Sequence, residues 1–163
     1  MEYLHGDNEQ IGIRWMEEAA KVAQQALCHN ARCGAVIIKY GAIIGRGYNA
    51  PPLNSEANRT CDSDIRPGKP KFDRTCCMHA EWRAILDALR NHASEIVGSS
   101  LYFVRVDGQG GMIRSGKPYC TVCSRLALDT GIAFFMLYHP EGIGAYATDE
   151  YDKLSYAYSP EPK

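Results

Sequence analysis

The chain has 163 residues, a length that suits one domain spanning 1–163 and leaves no room for a second of ordinary size. Its 45% hydrophobic and 23% charged residues are those of a folded globular chain. Eighteen Lys and Arg against nineteen Asp and Glu leave a net charge of −1, which argues against a protein that coats nucleic acid or an anionic membrane. The first residues, Met1 to Asp7, carry neither a basic stretch nor an apolar run of signal-peptide length. No later segment approaches the ~18 apolar residues of a membrane span, so a soluble cytoplasmic protein is expected. Seven cysteines are then conspicuous. An odd number in a reducing compartment points to metal binding or catalysis rather than to a disulfide framework.

In chain order, residues 8–29 place Ile11, Trp15, Ala19, Val22 and Ala26 at helical steps, with Asp7 and Gln10 in capping-box spacing. Two β-branched runs, 33–39 and 42–48, flank Tyr40-Gly41 and predict a hairpin. Residues 49–77 lose periodicity and gather Pro51, Pro52, Pro67, Gly68 and Pro70, which predicts a long loop. A helix is expected at 79–92, a strand at 100–106 and a second, Gly-rich loop at 107–117. A helix over 121–130 ends at Gly131, followed by a buried-type strand at 132–138, a short edge strand at 142–148 and a last helix at 149–156. This order predicts an α/β fold, a three-layer α/β/α sandwich around a mixed five-stranded sheet.

Two short segments carry metal-ligand chemistry, Cys77-Met-His79-Ala-Glu81 and Pro118-Tyr-Cys120-Thr-Val-Cys123, each opening a predicted helix. Cysteines three apart at a helix start aim both sulfurs at one point, and zinc favours thiolate and imidazole in a tetrahedral shell. His79, Cys120 and Cys123 would hold the metal from three sides and leave a fourth position open, as catalytic rather than structural zinc sites do. The helix N-terminus favours the thiolate form. Glu81, two residues past His79, can take a proton from water at the open position and return it to a leaving nitrogen, the outline of hydrolytic deamination.

His79-Ala-Glu81 with Pro118, Cys120 and Cys123 resembles the zinc signature of the cytidine deaminase superfamily. Gly47-Tyr-Asn49-Ala-Pro51, a long cysteine-containing loop and Cys77-Met-His79-Ala-Glu81 are similar in particular to the deoxycytidylate deaminase branch. The resemblance implies a zinc-dependent hydrolytic deaminase of a free nucleobase, nucleoside or nucleotide, with a cytosine-type ring. It also implies substrate contacts from Asn49, against the sugar, and Ala80, and a homo-oligomer. Two departures stand out: Tyr119 intervenes between Pro118 and Cys120, with Lys117 where the family carries an acid, and the loop 107–117 is inserted before the metal motif. Both fall on residues that line the pocket rim in relatives.

Other readings stay open. The ring could be guanine, adenine or pterin-like, or the base could lie within RNA or single-stranded DNA, although the charge balance disfavours a polynucleotide. A non-catalytic zinc module would leave Glu81 as an ordinary first-turn acid. Cys61, Cys76 and Cys77 could clamp a second zinc or pack as small apolar side chains, and no fourth ligand stands nearby in sequence. Cys28 and Cys33 read as core. His139 reads as a solvated loop residue at a ligand-binding sheet edge, and Tyr146, Tyr151, Tyr156 and Tyr158 read as a packing or oligomer surface.

Overall fold

The computed structural model describes residues 1–60, 75–114 and 116–158. Among these residues seven strands form one sheet: β1 (Glu2–Tyr3), β2 (Arg32–Lys39), β3 (Ala42–Tyr48), β4 (Ser100–Val106), β5 (Met112–Ile113), β6 (Phe134–His139) and β7 (Gly142–Ala147). Their order is β1-β7-β6-β4-β2-β3, with β5 paired to β4 off this path. The five long strands are those read from the sequence. The two-residue β1 and β5 are additional, too short to show a period, and β1 pairs with β7 so that β7 is not an edge. β4 and β6 run parallel, while the other pairings are antiparallel.

Alternation along the strands divides the core into two layers. Val36 and Ile38 of β2, Tyr102 and Val104 of β4 and Met136 of β6 meet helix α1 (Asp7–Ala23) on one face. Ala35, Ile37, Leu101, Phe135 and Leu137 meet helices α2 (Ala80–Asn91), α3 (Thr121–Asp129) and α4 (Thr148–Ala157) on the other. The three-layer sandwich follows.

Three local expectations are corrected. Helix α1 ends at Ala23 rather than near residue 29, and its N-cap is Gly6, with no side-chain capping bond from Asp7. Its buried stripe runs through Gly12, Met16, Ala19, Ala20, Val22 and Ala23, so that Ala19 and Val22 are buried as expected while Ile11 is 47% exposed. The small residues win the sheet-facing side because the helix lies directly on β2. Within the long loop after β3, two 3₁₀ turns form at Pro52–Asn54 and Glu56–Asn58.

Helix α2 sits equally close to β3, and Gly45 and Gly47 make the approach possible. A Cβ at Gly47 would lie 2.1 Å from the Ala80 carbonyl oxygen, and one at Gly45 would lie 2.4 Å from that of Ala84. Small residues on both surfaces, Gly45 and Gly47 against Ala80, Ala84 and Ala88, set the depth at which α2 begins.

Candidate metal centre and active site

The N-termini of α2 and α3 converge beside the carboxyl end of β4. His79 occupies the N-cap of α2 in an extended conformation, and Cys120 does the same for α3, where its Sγ accepts from the Cys123 N–H at 3.3 Å. One turn further, Cys123 is fully buried. His79 Nδ1 lies 3.2 Å from Cys123 Sγ and 3.4 Å from Cys120 Sγ, and the three ligand atoms fall within 4.8 Å of one another. Zinc at ordinary bond lengths in a tetrahedral shell places a nitrogen and a sulfur ligand about 3.5 Å apart, so this donor set fits zinc in chemistry and in spacing. The His79 ring stacks on Trp82, with centroids 5.4 Å apart and planes 26° from parallel, which fixes the imidazole plane.

The three donors shift one another's proton affinities. The Cys120 thiol is held down to about 4 because its sulfur accepts hydrogen bonds from Cys123, His79 and the Cys123 N–H against the cost of burial. Cys123, as donor in that pair and buried besides, is pushed the other way. His79 is raised, first by its hydrogen bond with Cys120.

Glu81 is 6% exposed and lies on the first turn of α2, beside the donor set. Burial raises its carboxyl above the usual carboxylate range, while His79 pulls the other way. A carboxyl so placed exchanges a proton more readily near neutral pH than one free in water.

His79, Cys120 and Glu81 line a cavity of about 350 Å³, and Cys123 lies buried against His79 and Cys120 in its wall. Asn49 and Ala80, both buried, also line it. The Asn49 amide is already engaged: its Oδ1 accepts from the Cys33 N–H at 2.8 Å and its Nδ2 donates to the Ala31 carbonyl at 2.7 Å. One N–H and one lone pair remain for a ligand.

Several wall residues escape a reading of the sequence. Cys33, read as core, lines the cavity half-buried, with burial pushing its thiol up to about 12. Phe103 and Arg105 also line it, as do Lys117 and Tyr119, which the family resemblance already put at the pocket rim. Tyr151, read as part of a surface, is buried against the cavity and stacks on Phe135 at 4.0 Å. Tyr146 is buried too, whereas Tyr156 is 60% exposed. His139 is buried rather than solvated, with its Nε2 2.9 Å from the Tyr146 hydroxyl.

Of the residues considered for a second zinc, Cys61 lies outside the described residues. Cys76 and Cys77 are hydrogen-bonded neighbours, and Cys77 also meets Cys28, so Cys28 belongs to that cysteine group rather than to the core. Burial first, then these contacts, push the Cys77 thiol up to about 12.

An α/β/α sandwich that gathers two cysteines, a histidine and a buried glutamate in one cavity defines the class of zinc-dependent aminohydrolases. The sequence profile of the cytidine and deoxycytidylate deaminase zinc-binding region matches residues 10–138, and the chain belongs to that family. It is accordingly a zinc-dependent deaminase. It is similar to the deoxycytidylate deaminase of Mycobacterium phage D29, at 30% identity over 121 residues, covering 70% of this chain and 83% of that protein. It is also similar to the deoxycytidylate deaminase of Saccharomyces cerevisiae, at 29% identity over 122 residues, covering 73% of this chain and 34% of the yeast protein. In fold it resembles the dCMP deaminase of cyanophage S-TIM5 in complex with dCMP and dUMP, with a TM-score of 0.58 at 22% identity over 80% of this chain and 82% of that one. The cytidine deaminase of Burkholderia pseudomallei gives 0.55 at 16% identity over 85% and 94% of the two chains. No helix among the described residues is long and apolar enough to cross a membrane.

Proposed function

We propose that this chain removes the amino group from a cytosine-type ring carried as a free base, nucleoside or nucleotide. Deoxycytidine monophosphate is the leading substrate, because the similar phage and yeast proteins are deoxycytidylate deaminases. The observation that carries the reading is the clustering of His79, Cys120 and Cys123 beside a cavity that the buried Glu81 also lines.

In this reading His79, Cys120 and Cys123 hold the zinc. Zinc in such a site supplies Lewis-acid activation of water near neutral pH. Glu81 would accept one proton from the attacking water on a carboxylate oxygen and pass it to the ring nitrogen, then take the second proton from the hydroxyl newly added to the ring carbon and deliver it to the departing amine. Water supplies the new carbonyl oxygen and the nitrogen leaves as ammonia. Ala80, with no side chain beyond Cβ, lets the ring approach the start of α2, and Asn49 offers its remaining N–H to a sugar hydroxyl. The walls of Phe103 and Tyr151 exclude water from the ring. We further place the protein in the cytoplasm as a homo-oligomer of one-domain subunits. The exposed Tyr119, Val122 and Tyr156, on α3, α4 and the segment before α3, offer an apolar face to a second copy.

The test is ammonia release by the zinc-loaded protein across cytosine, guanine and adenine compounds, each as base, nucleoside and monophosphate. Turnover of the cytosine series is expected. Turnover confined to a purine series would reassign the ring, and bound zinc with no ammonia from any compound would leave a non-catalytic zinc module.

A further inference from the structure

The last helix grips the turn that carries both cysteines. Cys120 to Cys123 make the first turn of α3, and the polar groups just outside it, the Tyr119 N–H before and the Ser124 hydroxyl after, both face α4. They meet consecutive residues there. The Tyr119 N–H is directed at the Tyr151 hydroxyl, and Ser124 Oγ donates to Asp152 Oδ1 at 2.7 Å. Ser124 Oγ also lies 3.0 Å from the Thr121 carbonyl and 3.1 Å from Ser155 Oγ, and the shortest contact, to a carboxylate, takes its single proton. The Ser124 N–H donates to the Cys120 carbonyl at 3.0 Å, which closes the turn itself.

Both anchors on α4 are fixed in their turn. The Tyr151 ring stacks on Phe135 of β6 with centroids 4.0 Å apart and meets Tyr146 of β7 edge to face at 5.9 Å. The Asp152 backbone carbonyl accepts from Ser155 Oγ at 2.8 Å, and Arg125 Nε stands 3.3 Å from Asp152 Oδ1. Ser124, Asp152 and Ser155 are all buried, although the core layer around them is apolar. Polar groups kept out of water are costly unless paired, and a fully paired cluster fixes a single geometry where apolar packing would tolerate several. Groups that orient metal ligands without touching the metal are worth about 10- to 100-fold in metal affinity.

We propose that Tyr151 and Asp152 are positioning residues that hold the Cys120–Cys123 turn from both ends, so that the seating of α4 sets how firmly the two sulfurs keep the zinc. The proposal rests on the reading of His79, Cys120 and Cys123 as the zinc ligands. Asp152 acts through Ser124 and the main chain of the turn, and Tyr151 through the main chain at Tyr119.

The experiment follows zinc loss from the loaded protein to an excess of a chromophoric chelator, in the wild type and in Ser124→Ala, Asp152→Ala, their double variant, Asp152→Asn and Tyr151→Phe. Ile132→Val is the control. That side chain is buried in the same core at the far end of α3, where the Ile132 N–H donates to the Ala127 carbonyl, so its truncation lowers stability without touching the grip. Ser124→Ala and Asp152→Ala should each speed zinc loss by about 10- to 100-fold, and the double variant no further than either alone, because both remove one bond. Asp152→Asn, which keeps an acceptor oxygen, should stay close to the wild-type rate, Tyr151→Phe should also lose zinc faster, and the control should not. A wild-type rate in Ser124→Ala or in Tyr151→Phe removes that end of the grip, and an equal acceleration in Ile132→Val overturns the proposal by tracing the effect to stability alone. A wild type that holds no zinc overturns the ligand set instead. Should Asp152→Ala fold poorly, Ser124→Ala, which removes a single oxygen, decides the matter.

Discussion

Cys120 does two things at once. Its sulfur closes the first turn of α3 by accepting from the Cys123 N–H, and the same atom stands 3.4 Å from His79 Nδ1. A thiolate at a helix N-terminus is favoured by the free N–H groups and the positive end of the helix dipole, so local folding and metal affinity draw on one interaction. Cys120→Ala should lose both, leaving two ligands and an uncapped helix. Metal analysis after dialysis should find less than one tenth of the wild-type zinc, and a variant with full zinc content would remove Cys120 from the donor set. These residues were legible in the sequence because each pair of groups lies within one helical turn, where spacing alone fixes direction. Arg105 and Tyr151 were not. Arg105 becomes part of the cavity through the non-local pairing of β5 with β4, and Tyr151 through the return of α4 over the sheet.

The elements most exacting in their placement are β3 and α2. With a Cβ at Gly47 reaching 2.1 Å from the Ala80 carbonyl oxygen, any side chain there pushes back the start of α2, and His79, Ala80 and Glu81 move with it. Gly47→Ala should destabilise the fold by about 1–3 kcal/mol, the usual cost of overpacking, and also lower deamination per folded molecule. Denaturant unfolding together with activity normalised to the folded fraction checks both, and unaltered stability would mean that α2 has room to spare. The hairpin of β2 and β3 and the helices α2 and α3 were readable from period and punctuation. The face of α1 was legible in part: Ala19 and Val22 are buried and Trp15 packs against the core, whereas Ile11 is exposed and Met16, Ala20 and Ala23 complete the buried stripe. Hydrophobicity ranks side chains, whereas close packing on β2 selects small ones. The two-residue β1 and β5 owe their existence to their neighbours and carry no signal of their own.

At the scale of the whole molecule, the sheet places the cavity at the carboxyl end of its inner strand β4 and a buried histidine away from it. His139 packs beside Tyr3, Tyr146 and Gly144, with Glu141 nearby, and burial lowers its pKa below the usual histidine value although Glu141 opposes this. The unfolded chain therefore binds a proton more readily than the folded one. The contribution to stability is present above pH ~6.5 and is lost as the pH falls through the folded value. The difference in unfolding free energy between wild type and His139→Gln should shrink from pH 7.5 to pH 5, and a difference independent of pH would show that His139 does not titrate differently on folding. The fold and the metal motif thus serve one centre, whose central claim is that Glu81 moves the proton while His79, Cys120 and Cys123 hold the zinc. The most direct measurement is ammonia release from deoxycytidine monophosphate by Glu81→Ala, with zinc content determined on the same sample. Zinc at the wild-type level with a rate reduced by about 10²–10⁴-fold is the predicted result, and a zinc-replete Glu81→Ala protein that deaminates at the wild-type rate would contradict it.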